Sequence, residues 1–310
     1  MNILNATLSS ALRMATPFLF AGLGGLMAQQ VGVYNFALEG QMLCGAFFGF
    51  LVAYLTKSLL LGALAAIISG LLMGWLLAFI CIRFGVSQMV VGLGMNTLLS
   101  GVTAFCSRLV NQSLGQGGSI MMEKLLSNVT LNTNLTSIPV IGPLIFDQNI
   151  MTYTAVILFL AYAWWVKRTP QGLALRAVGE HPHASQTAGI NVFRYRYLTM
   201  TLSGGIAALG GAFMTLSQVY RFAEDMTGGR GWIAIAAIAL GRWDAVGTFF
   251  ACLFFGLASS ISNQLQVFNT GIPSQFAMMV PYIMTILTLL TLRGSSHGPA
   301  ALAKPFMKNR

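Results

Sequence analysis

Charge is scarce in this 310-residue chain: 8% of its residues are Asp, Glu, Lys or Arg, and only 7 are acidic. A water-soluble domain carries roughly 25% charged residues, so an ordinary solvated surface is excluded. The shortage is lopsided, with 17 Lys and Arg and a formal charge of +10. Those cations fall mainly between apolar runs, which is the positive-inside pattern of a membrane protein and not the basic patch of a nucleic-acid binder. The four cysteines, Cys44, Cys81, Cys106 and Cys252, all sit inside apolar runs without C-x-x-C spacing. Packing is their expected role, with neither disulfide nor metal. Catalytic signatures are missing as well. No G-x-S-x-G, H-E-x-x-H or P-loop pattern occurs, so any ATP must be hydrolysed on another chain. Residues 1–11 lack a basic n-region and a small-residue cleavage site, and the first apolar run is expected to persist in the mature protein.

What remains is apolar: 56% of residues are hydrophobic, and the mean hydropathy is +0.74. A hydrocarbon core of about 30 Å takes roughly 17–25 apolar residues per helix. Runs fitting that length lie near 8–29, 41–56, 59–82, 87–110, 150–166, 197–219, 246–264 and 276–292, with a shorter one at 231–241. The expected fold class is therefore all-α, a polytopic membrane helix bundle of about nine spans over residues 1–293. Segment 167–196 holds Lys167, Arg168, Arg176, Arg194 and Arg196, and the tail 294–310 continues the cations of Arg293 with Lys304, Lys308 and Arg310. Both are expected on the cytoplasmic side, while segment 111–149, whose only cation is Lys124, is expected outside. Counting back through nine spans puts the N-terminus outside. The tail has Gly, Pro and Lys without an apolar period, and disorder is expected there.

Two interruptions punctuate the spans. Gln30 to Gly40 follows the first, and Gln218 to Gly229 follows the sixth; both contain Tyr-x-Phe-Ala with an acid close behind. One falls on the inner side and the other on the outer side, as an inverted repeat of spans 1–4 and 6–9 predicts. Glu39, beside Asn35 and Phe36, is costly in hydrocarbon, by about 3 kcal/mol on insertion scales. It reads as a cap for the helix that follows Gly40, as a hinge near the pathway, or as a contact for solute. Asn96 sits among small residues of an apolar run, where a bond between helices or contact with a polar solute explains it. The stretch containing Phe222, Glu224, Asp225 and Arg230 is rich in glycine and charge, and such backbone is tolerated at membrane depth only where it lines a cavity or reaches water. It reads either as a solvated loop or as a re-entrant element before a helix too short to span.

The segment Arg176 to Asn191 is too polar for the bilayer. Pro182 suits the first turn of a short helix and Gly189 its end, so it reads as a docking element clamped between two spans. His181 and His183 lack further clustered ligands, and no metal is expected. At three stretches the sequence resembles the membrane subunits of bacterial binding-protein-dependent ABC importers, in the branch serving ribose, branched-chain amino acids and nucleosides. These are Gly32-Val-Tyr-Asn-Phe-Ala-Leu-Glu-Gly40, Leu173 to Pro182 with Ala188-Gly-Ile-Asn191, and Met226 to Ala237 with Leu240-Gly-Arg-Trp243. The nucleoside and simple-sugar permeases look most similar. Tyr34-Asn-Phe-Ala and Ser185-Gln186 depart from the nucleoside pattern, which leaves the solute more open than the machine. The resemblance implies a pore in the bacterial inner membrane built from this chain and a second permease, a copy or a paralogue. It implies two cytoplasmic ATPase subunits carrying ATP and magnesium, an external solute-binding protein, and no cofactor in this chain. It also implies that Arg176, Glu180, Pro182, Ala184, Ala188 and Gly189 form or flank the coupling helix. The alternative of an ion-coupled transporter would depend on Glu39 as a free carboxylate.

Overall fold

The structure, a computed structural model, describes residues 3–113, 129–130, 147–267, 274–291 and 298–306. Helices dominate it. In chain order they are α1 (Ile3–Gln30), α2 (Leu38–Thr56), α3 (Leu59–Ala78), α4 (Gln88–Ser113), α5 (Ile150–Arg168), α6 (Pro170–Glu180), α7 (Pro182–Thr187), α8 (Val192–Phe213), α9 (Arg230–Leu240), α10 (Ala245–Val267) and α11 (Ser274–Thr291). Helix α3 runs on through a π-helical turn at Phe79–Arg83, and α8 through another at Met214–Val219. Val129–Thr130 (β1) and Asp147–Gln148 (β2) pair antiparallel in the segment between α4 and α5. Most of that segment, expected outside and including Lys124, lies outside the described residues, as do Arg293, Lys308 and Arg310.

Local chemistry sets several boundaries. Asn149 accepts from the Met151 N–H at the start of α5, Thr169 from the Gly172 N–H at the start of α6, and Asn191 from the Arg194 N–H at the start of α8. Each side-chain oxygen satisfies one of the orphan donors of a first helical turn. Pro170 and Pro182 open α6 and α7, where no N–H is needed. Among the described residues, seven helices are long and apolar enough to cross a membrane, and α9, with 11 residues, is not one of them. This is a multi-pass membrane protein.

Helices α1 and α8 form the buried centre. α1 packs on α10 and α8 on α3, with α2 wedged between α3 and α8. Without a hydrophobic drive between helices in lipid, association depends on close backbone approach at small residues. A Cβ on Gly45 would meet the Ala208 carbonyl oxygen at 2.2 Å, and one on Gly211 the Met42 oxygen at 1.7 Å. Gly70 and Gly204 abut in the same way: a Cβ on either would meet the other's carbonyl oxygen at 2.3 Å. The outer faces of α3 and α11 carry exposed leucine, isoleucine and phenylalanine, the side chains that lipid solvates.

One end of the bundle gathers the basic segment. The Tyr162 hydroxyl donates to Gln30 Oε1 at 2.6 Å, the Gln30 amide donates to the Trp243 carbonyl at 2.7 Å, and the Trp243 indole donates to Gln29 at 2.6 Å. Lys167 pairs with Asp244 at 2.8 Å. The tail expected to be disordered instead packs here over residues 298–306. The Ala301 N–H bonds the Gly179 carbonyl and the Ala303 N–H the Gly32 carbonyl, while Ala301 and Phe306 are buried. Composition hid this because one buried aromatic and two backbone bonds fix a short strand of chain without any periodic pattern.

Candidate functional site

Helix α4 serves as a ruler through the site, rising ~1.5 Å per residue. At its start, Gln88 Oε1 accepts from the Tyr34 N–H at 2.6 Å. One turn up, Gly92 leaves room for Phe36, whose ring stacks on Tyr34 at 4.0 Å. A further turn brings Asn96, which accepts from the Gly40 N–H at 2.8 Å and donates to the Phe36 carbonyl at 2.9 Å. Higher still, the Ser100 hydroxyl donates to Asp225 at 2.6 Å, and Arg108 grips Glu224 with two bonds of 2.8 Å. The ladder thus passes from the α1–α2 bend to the segment that links α8 to α9.

The α1–α2 bend is held by neutral amides. Asn35, fully buried, donates to Gln41 Oε1 and to the Ser203 hydroxyl, and its own oxygen accepts from the Ala37 N–H. Its neighbour in function is Glu39, in the first turn of α2. One carboxylate oxygen accepts from the Gly229 N–H at 2.8 Å and the other from the Gly231 N–H at 2.6 Å. Those N–H groups are the free donors at the start of α9, so Glu39 caps that helix and not the one expected from its position before Gly40. The two helix N-termini, α2 and α9, converge on one anion, where both dipoles favour negative charge. Gly229, with φ +83°, occupies the turn into α9, and the Gly231 Cα lies so close to Glu39 that a Cβ would meet its backbone nitrogen at 2.6 Å.

The structure places Glu39, Arg230, Asn96 and Phe36 around this junction, with Glu224 one level outward. Arg230 donates to the carbonyls of Met226 and Thr227, closing its own loop. Phe222 is buried against Phe47, 5.2 Å between ring centroids, and belongs to packing. Asn35 stitches the bend internally. Sequence reasoning missed Arg108 and Ser100, which carry the acids of the 220–229 segment; an arginine inside an otherwise apolar helix was the available signal. Of the residues expected to couple, Arg176, Glu180, Ala184, Ala188 and Gly189 are exposed and Pro182 half-buried. Gly189 ends α7 at φ +83° with open space where a side chain would go. The Glu180 carboxylate accepts from the Ala300 N–H at 3.1 Å, and His183 lies 5.0 Å from the Phe306 ring.

Broken helices meeting inside an apolar bundle, with a polar helix pair exposed at one end, define a solute permease. The family described as the permease component of the branched-chain amino acid transport system matches residues 7–289, and the chain belongs to it. It is the permease component of an ABC transporter. A guanosine ABC transporter permease of Bacillus subtilis, NupQ, is 34% identical over 99% of this chain and 98% of its own. The nucleoside permease NupC of Lactococcus lactis is 31% identical over 100% and 99%, and a putative glucose permease of Haloferax volcanii, TsgC13, is 30% identical over 93% and 90%. Among solved structures, an inward-facing putative metal-chelate type ABC transporter shares the fold, with a TM-score of 0.53 at 15% identity over 92% of this chain and 85% of that one.

Proposed function

We propose that this chain lines the path of a nucleoside through the bacterial inner membrane and is moved by ATPase subunits gripping its exposed helix pair α6–α7. One observation carries the path. Helix α9 starts inside the bundle at Glu39 and ends beside Lys167 and Gln30, so its ~16 Å covers only about half of a 30 Å core. The other half of that crossing is the irregular, charged segment 220–229. Open backbone at that depth is stable only along a water-filled route or against protein. Exposed along the adjoining face of α4 are Gly94, Thr97, Gly101 and Arg108, interspersed with Val90 and Phe105, and nothing lies within 4 Å of a Cβ built on either glycine. A second permease, copy or paralogue, closes the route opposite this face.

With segment 220–240 counted as one crossing and α11 as another, the chain makes nine, the N-terminus outside and α6–α7 inside. The inverted repeat is supported by packing, since α1 on α10 mirrors α8 on α3. The paired Tyr-x-Phe-Ala motifs support it less: α2 begins four residues after Tyr34, and α9 ten residues after Tyr220. Both Glu39 oxygens are engaged by backbone N–H groups, which leaves no free carboxylate for ion coupling and agrees with ATP as the energy source. ATP and magnesium reside on the ATPase, an external binding protein delivers solute, and Ala184, Ala188 and Gly189 contact the ATPase.

The nucleoside reading leans on the two relatives that match end to end; a simple sugar is the second reading, favoured by the glucose permease. Uptake of labelled guanosine by vesicles holding the assembled complex tests both, with unlabelled nucleosides and hexoses as competitors. Competition by hexoses alone would discard the nucleoside. Cysteines at Gly94, Thr97 and Gly101 should react with a charged thiol reagent, whereas cysteines at Leu60 and Leu72 on α3 should not. Equal protection of both sets would remove the path from α4.

A further inference from the structure

Residues 298–306 touch nearly every element at the inner end of the bundle. Gly298 packs against the Trp243 ring, which a Cβ would meet at 3.0 Å, at the turn between α9 and α10. Ala300 donates to Glu180, Ala301 to the Gly179 carbonyl and Ala303 to the Gly32 carbonyl, joining α6 to the α1–α2 bend. Gly32 has φ +86°, and a Cβ there would meet the Ala301 oxygen at 3.1 Å. The Lys304 carbonyl accepts from Arg196 Nη1 at 3.0 Å, and the Phe306 ring closes the run. That ring lies 5.0 Å from His183 on α7 and 5.4 Å from Phe193 on α8, with the Arg196 guanidinium 5.7 Å above its centroid.

We propose that segment 298–306 is a strap linking the cytoplasmic helix α7 to the α1–α2 bend and α8, so that ATPase motion reaches the Glu39 junction, with Phe306 as its positioning residue. The proposal rests on the reading of α7 as the ATPase contact. The route is short and continuous: α7 to Phe306, along the strap to Gly32, and seven residues on to Glu39. Bistable coupling needs such a contiguous set of packed groups. α7 has 6 residues and offers the bundle little else to hold; within it only Ser185 is buried. The strap also encloses Arg196, 2% exposed, whose Nε and Nη2 have no hydrogen-bond partner among the described residues. Enclosing a guanidinium with one hydrogen bond is costly, partly offset by its position over an aromatic face. Removing the strap returns those nitrogens to water, so the bundle tolerates its loss and the defect shows in transmission.

The test uses the assembled complex in vesicles and reads guanosine taken up per ATP hydrolysed. Phe306→Ala, and a chain ending after His297, should still co-purify with the ATPase and hydrolyse ATP. Uptake per ATP should fall at least fivefold, and Phe306→Trp should restore it. An unchanged ratio, or loss of ATPase binding in both variants, would overturn the strap as a link. A short cross-link between cysteines placed at His183 and Phe306, followed by loss of free thiols, should leave uptake intact; abolished uptake with retained hydrolysis would show that the two must separate, and sink the proposal. Independently, a cysteine at Ala184 should cross-link to the ATPase. Its failure to do so would refute α7 as the contact, whatever the strap variants show.

Discussion

The two places where helices break in this bundle are built from opposite materials. The bend at 31–37 is stitched by neutral amides, Asn35, Gln41, Gln88 and Asn96, and its polar groups are internal. The segment at 220–229 is held by charge, Glu224 on Arg108 and Asp225 beside Ser100, with the side chains of the ion pair 44% and 68% exposed. The amides of the bend are bonded inside the protein apart from the Gln41 Nε2, which has no partner among the described residues, whereas an exposed ion pair is weak and replaceable. On the proposed path the first break is the fixed pivot and the second the wetted wall. They meet at one group, the Glu39 carboxylate.

That meeting point gives the largest expected effect. Glu39→Leu leaves the N–H groups of Gly229, half-buried, and Gly231, buried, without acceptors, a loss of about 2–4 kcal/mol. Folded yield and detergent melting temperature should both drop, and uptake should vanish. Glu39→Gln keeps one acceptor and should recover part of the melting temperature. Equal behaviour of the two variants would mean that the carboxylate does not hold α9.

The pivot comes next. Asn96→Ala strips partners from the Gly40 N–H and the Phe36 carbonyl and should cost about 1–3 kcal/mol, visible as a lower melting temperature with uptake reduced in proportion. The wall should respond differently. Arg108→Ala should leave the melting temperature unchanged yet alter uptake, and the exchange Arg108→Glu with Glu224→Arg should restore it. A lowered melting temperature for Arg108→Ala, matching that of Asn96→Ala, would erase the distinction between pivot and wall.

Much of this was legible before any coordinates. Apolar run length gave the long helices, charge asymmetry grouped 167–196 with the tail, and glycine with charge flagged 220–229. Glu39 and Asn96 were recognised as polar groups needing partners. The partners themselves were not legible, because hydrogen bonds such as Glu39 to Gly231 join residues 192 positions apart. No period or motif encodes that pairing. Capping of the helix after Gly40 was one reading of Glu39 from sequence, whereas its oxygens bond the start of α9, which sequence proximity does not point to. The strap escaped notice because Phe306 and Ala301 are single contacts in a segment of solvent-like composition.

The smallest effect lies at the far end of α9, where Lys167 meets Asp244 at 2.8 Å with both side chains 45% exposed. Burial raises the Asp244 pKa, but bonds from the Lys167 ammonium and the N–H groups of Gly247 and Val246 outweigh it and hold the carboxyl below its ordinary value. A depressed carboxylate stabilises the fold above its unfolded pKa, ~3.9, and that contribution disappears as pH falls through the folded value. Lys167→Ala should thus cost on the order of 0.5 kcal/mol at neutral pH, and the gap from the parent protein should close only below about pH 4. Uptake should barely change. A charge pair that anchors the lower end of α9 so weakly, set against a carboxylate that anchors its upper end so firmly, would make α9 a lever hinged at Glu39. A large loss of uptake in Lys167→Ala would move the hinge to the membrane surface instead.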